Sequence, residues 1–147
     1  MFFLLSMAVA GDLRHMLSQR DGVSCRELGE ATPELRDGLL ALTGPEELPS
    51  SVPMGATSCL IERFPADPLV MSTLQGWMGQ KERAGQALVV VSMLGQVEAS
   101  WRVPLALGAL SQEDPAWRER MRVRLVKVPG LEGIEPLLSE PVVAAQK

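Results

Sequence analysis

Three dipeptides, Thr32-Pro33, Asp67-Pro68 and Asp114-Pro115, constrain this chain more than any other feature. In each, a side-chain oxygen that can accept from the first free backbone N–H groups precedes a proline. The proline's fixed φ suits the first position of a helix, where its missing N–H costs nothing. Each dipeptide therefore predicts a helix start. Apolar residues then recur at helical spacing: Leu35, Leu39, Leu40 and Leu42 after the first start, Val70, Leu74, Trp77 and Met78 after the second. Trp117, Met121, Leu125 and Val128 follow the third, while Gly44 and Gly79 supply stops for the first two.

Three further helices lie between these starts. One begins near Pro53, carries Ala56, Leu60, Ile61 and Phe64 on one face, and ends at Phe64-Pro65, because a residue before proline is pushed out of the α region. The stretch Lys81 to Gly95 is the strongest helical pattern, with Ala84, Ala87, Leu88, Val91 and Leu94 in one stripe. Val89, Val90 and Met93 make it apolar nearly all round, as expected of a central helix covered on several sides, with Leu88 and Leu74 in the core. A buried strand through Leu88 to Val91 is the rival reading. Glu98 to Leu110 continues with Val103, Ala106, Leu107 and Leu110 on one face, and Pro104 is tolerated near a helix start but kinks one further in.

Aromatic residues make up only 4% of the chain, with no Tyr, which argues against an all-β fold, whereas 8 Met suit the irregular gaps between helices. The predicted fold is all-α: a short stack of antiparallel helical pairs or an irregular helical bundle. The helical domain spans 11–128. After Pro129-Gly130 the periodicity stops and Pro136 and Pro141 appear, so 129–147 reads as a flexible or loosely docked C-terminal tail.

Aligning the second and third starts places Leu60 on Leu107, Leu74 on Met121 and Met78 on Leu125. Each unit is an apolar helix, a turn with Asp-Pro and a second apolar helix. Over about residues 32–128 this resembles the HEAT-like helical repeats, whose units run roughly 40–47 residues. Such units often carry a Pro in the first helix, an Asp in the turn and a basic residue early in the second, and Pro104, Asp114 and Arg120 stand in that order. The preceding unit has Asp67 but Thr73 where the basic residue would be, and the Lys81–Gly95 helix makes the spacing irregular. The resemblance implies a helical stack whose extended surface holds another protein.

The segment Met1 to Ala10 is an apolar run ending in Ala8-Val9-Ala10, an A-x-A pattern, and reads as a signal peptide over 1–10 with a mature start at Gly11. It lacks a positive n-region, and the other reading is an apolar first turn of helix docking on the core. Export, periplasmic or secreted, makes a Cys25–Cys59 disulfide the natural reading of the two cysteines; in the cytoplasm both would be small buried hydrophobes. No apolar run reaches the 18 residues of a transmembrane helix.

No motif for catalysis, phosphate binding or dinucleotide binding is present, and two Cys with one His, His15, make no four-ligand zinc site. Neither a metal nor a cofactor is expected. The carboxylate pairs Glu46-Glu47 and Glu113-Asp114 read as solvated caps at helix starts. The net charge of −4 argues against a nucleic-acid partner. Against that background, Trp117 to Lys127 carries five cations and one anion, Glu119. Arg118 and Arg122 stand four apart on one flank with little compensation, and Arg124 falls on the side of Trp117 and Met121. Arg118, Arg122 and Arg124 are therefore the candidate binding residues, facing an acidic partner or a phosphate. Cations late in a helix that simply satisfy its dipole are the plainer account. The expected function is a non-enzymatic helical-repeat module for protein–protein interaction. The alternatives are an accessory domain of a larger complex or a nucleic-acid-binding helical-repeat protein.

Overall fold

The computed structural model describes residues 13–18, 25–44, 46–47 and 49–139. The expected signal segment 1–10 and residues 140–147 lie outside them. All regular structure among the described residues is helical, so the all-α class stands, without a strand at Leu88 to Val91. The chain divides into two compact units, Met1–Pro65 and Ala66–Lys147, where the sequence suggests one domain over 11–128.

The first unit contains a short helical stretch over 13–17, a 3₁₀ turn Cys25–Leu28, and helices α1, Pro33–Ala41, and α2, Ser51–Arg63. Thr32 caps α1 as expected, its Oγ1 accepting from the Leu35 N–H at 3.1 Å. Leu35 and Leu39 face inward, and α1 packs on α2 through Val52, Ala56, Leu60 and Ile61. Leu13 and Leu17, one turn apart and both buried, pack where α1 and α2 carry glycines. A Cβ at Gly38 would stand 2.9 Å from Leu13 Cδ1, and one at Gly55 3.1 Å from Leu17 Cδ2. A disulfide joins Cys25 to Cys59 with Cα atoms 5.3 Å apart and ties the 3₁₀ turn to α2. Arg63, at the end of α2, reinforces the same tie by donating to the carbonyls of Cys25 and Gly29.

The second unit contains α3, Pro68–Trp77; α4, Ala84–Ser92; α5, Ala99–Ala109; α6, Pro115–Leu125; and α7, Glu135–Ser139. Asp67 and Asp114 cap α3 and α6 as expected, Asp67 accepting from Leu69 N–H at 2.9 Å and Asp114 from Ala116 N–H at 2.8 Å. Helix α4 contacts α3, α5 and α6, so its central position agrees with its nearly all-round apolar surface. It is shorter than the expected Lys81–Gly95 helix, because 3₁₀ turns at Lys81–Arg83 and Leu94–Gln96 flank it. Helices α3 and α5 approach closely at their ends. A Cβ on Gly108 would lie 2.7 Å from Met78 Cβ. The buried Gln112 amide donates to the Met78 carbonyl at 2.7 Å and completes the junction.

Three expectations about packing are corrected. Leu88 is only half-buried; Val90 and Val91 take the core positions, because neighbours on several sides of an all-apolar helix choose its inner face. On α5 the buried face is Leu105, Ala106 and Ala109, and Leu107 is 44% exposed. Pro104 stands at mid-helix with α5 continuous around it, and the Ser100 carbonyl that its missing N–H leaves free belongs to an exposed residue. Finally, the stretch after Pro129 is docked at least as far as Ser139. Leu131, Ile134 and Leu138 are buried, spaced 3 and 4 residues apart, and α7 contacts α6.

Candidate binding groove

Helix α6 buries one side, Met121 and Leu125, and turns the opposite side outward. On that side Ala116, Glu119, Arg120, Val123 and Arg124 follow at i, i+3, i+4, i+7 and i+8, a single stripe of helix surface, and Lys127 continues it in the turn beyond the helix end. The stripe forms one wall of an open groove of about 840 Å³. Val91 and Ser92 at the end of α4, with Gly95 beyond it, form the other wall, and Val128 and Pro129 complete the lining. The lining surface is more apolar than polar, with the charges confined to the α6 wall.

The two ends of irregular chain at this groove are fixed by one side chain. Arg102 on α5 donates from Nε to the Val97 carbonyl at 2.8 Å, from Nη2 to the Gly95 carbonyl at 2.9 Å and from Nη1 to the Pro129 carbonyl at 3.3 Å. Gly95 and Pro129 both line the groove. A guanidinium is suited to this task, because its rigid fork of N–H donors satisfies several carbonyls at once. Gly130, at φ +83°, turns the chain beside it, and a Cβ there would lie 2.9 Å from Arg102 Nη1. Sequence reasoning missed Arg102; the Pro129-Gly130 turn was the visible half of the arrangement.

The candidate arginines separate. Arg122 is bound inside the fold: it pairs with Glu119 in a bidentate arrangement, 2.8 Å from Nε and 2.6 Å from Nη2, and donates to the Leu138 carbonyl at 2.7 Å. Its hydrogen bond to Glu119 pushes the guanidinium pKa above its ordinary value. Arg118 donates to the carbonyls of Gln112 and Glu113, at 2.7 and 3.0 Å, and braces the turn before α6. The expectation that Arg122 stands uncompensated is thus corrected, Arg118 is engaged by neutral carbonyls, and neither lines the groove. Arg124 does line it, together with Arg120 and Lys127, which the sequence did not single out as binding residues. With Glu119 neutralised by Arg122, three cations remain on the groove wall. Arg120 lies over the Trp117 ring, 5.1 Å from its centre, a contact that orders the guanidinium without consuming its in-plane N–H donors.

Of the other residues considered for chemistry, two are engaged in local structure. Glu47 pairs with Arg14 and Asp114 is the α6 cap; His15 is exposed. Among the described residues no three His, Cys, Asp or Glu side chains gather as a metal-ligand set, and no helix is long and apolar enough to cross a membrane. Comparison with protein-family models, with curated proteins and with solved structures finds no match to this chain.

Proposed function

We propose that this chain is a non-enzymatic helical module that binds another protein, and that the α6 groove is where it does so. The observation that carries the reading is the line of Arg120, Arg124 and Lys127 along one wall of a preformed, mostly apolar groove. A concave apolar surface edged with a few fixed charges is the ordinary make-up of a recognition site. The net charge of −4 on the whole chain disfavours a general affinity for polyanions, so the cations act locally. The Cys25–Cys59 bond favours an oxidising compartment, periplasmic or extracellular, over the cytoplasm. A HEAT-like relationship between helical pairs belongs to the same proposal. Leu74 and Met121, and Met78 and Leu125, are fully buried at matched positions and support it; Leu107, exposed where Leu60 is buried, does not.

The test is site-specific photo-cross-linking. A photoreactive residue replaces Val123, and the protein is expressed in its own host. Adducts with another protein are expected, and they should disappear when Arg124→Glu and Lys127→Glu are added without lowering the melting midpoint. Absent adducts, or adducts indifferent to the charge reversals, overturn the reading.

A further inference from the structure

We propose that the occupant of the α6 groove is an acidic amphipathic helix of the partner, about three turns long; this rests on the protein-binding reading above. Arg120 and Arg124 stand one turn apart on α6 and Lys127 follows in the turn just beyond its end, so three cations succeed one another along the groove wall. A second helix laid alongside offers carboxylates at the same interval, because both share one periodicity. The helical part of the wall, Ala116 to Leu125, covers about 14 Å and Lys127 extends it, a length close to three helical turns.

Charge alone does not describe the site. Val123 sits amid the cations and is 47% exposed, with Val91 and Val128 lining the groove as well. A phosphate or a nucleic-acid backbone has nothing apolar to place there. An amphipathic helix does, with apolar side chains entering the groove and carboxylates meeting its basic wall. Ala116 and Gly95, one on each wall, are small enough to let a second backbone come close. The stacking of Arg120 on Trp117 reduces the side-chain freedom lost on pairing with a carboxylate.

The experiment uses the intact protein and synthetic peptides, read by fluorescence anisotropy. The probe is a labelled sixteen-residue helix with glutamates along one line and leucines along the next. Binding is expected, weakening at least about tenfold when the glutamates become glutamines or when the protein carries Arg124→Glu with Lys127→Glu. Replacing the leucines with glutamines should weaken it by a similar factor, and added salt should weaken it further. Undiminished binding of the leucine-free peptide overturns the proposal, as does tighter binding of heparin or of phosphatidylserine vesicles than of the probe. If the peptides fail while charge-sensitive cross-links at position 123 persist, the acidic helix is wrong and the protein-binding reading stands. If both fail, both fall.

Discussion

In each unit of this molecule an arginine holds irregular backbone on both sides of a helix end or turn, but only the first unit adds a covalent bond. In the first, Arg63 on α2 grips the carbonyls of Cys25 and Gly29, and the disulfide runs beside it. In the second, Arg102 on α5 grips Val97, Gly95 and Pro129 with no bond of that kind. The difference follows the packing available. The second unit surrounds α4 with three helices, whereas the described core of the first rests chiefly on the α1–α2 pair and the short 13–17 stretch. A small core supplies little stability alone, and cross-links compensate for that in small domains. The cross-link therefore stands where burial is scarcer, and hydrogen bonds suffice where burial is ample.

Removing the disulfide tests this contrast most severely. Closing a loop across 34 positions stabilises by about 4 kcal/mol in the chain-entropy model. Cys25→Ala with Cys59→Ala should collapse amide protection in the first unit and spare that of α4, as read by hydrogen exchange. Equal loss in both units would mean that they unfold together. In the second unit the corresponding blow is to burial. Leu74, fully buried, should cost about 3 kcal/mol on replacement by Ala, and half-buried Leu88 only about 1 kcal/mol, both read by denaturant unfolding. A reversed order would restore Leu88 to the core.

The arginine clamp of the second unit has its own test. Gly130→Ala forces a Cβ onto left-handed backbone and towards Arg102, and should cost about 1–2 kcal/mol while weakening peptide binding at the groove. A stable variant with full binding would show that the clamp does not shape the site. The smallest effects separate the arginines of α6. Arg122→Glu places an anion against Glu119 and the Leu138 carbonyl and should lower the melting midpoint, whereas Arg124→Glu with Lys127→Glu should stay within about 0.5 kcal/mol of the parent. If the two variants melt alike, the assignment of Arg122 to the scaffold fails.

The helix starts were legible in the sequence because capping is local: Thr32, Asp67 and Asp114 meet N–H groups two or three residues away. The cysteine pairing followed from there being only two cysteines. Which face of an apolar helix turns inward was not legible, as Leu88 and Leu107 show, since neighbours decide it and not periodicity. The site was half legible. The cationic run was plain, but the roles of its members depend on main-chain acceptors. Arg122 reaches the carbonyl of Leu138, sixteen positions on, and Arg118 those of Gln112 and Glu113. Counting acidic side chains finds no such partners. Arg102, alone in its helix and bonded only to carbonyls, left no mark in the charge pattern.

The disulfide also governs what happens when the chain is cut. Cys25 and Cys59 bracket α1, most of α2 and the connection over 42–50 between them. A protease that nicks that connection severs the polypeptide but not the molecule, because both pieces stay joined through sulfur. Such a nicked species would migrate as one band without reductant and as two with it. A single scission there converts one chain into a covalent two-chain protein.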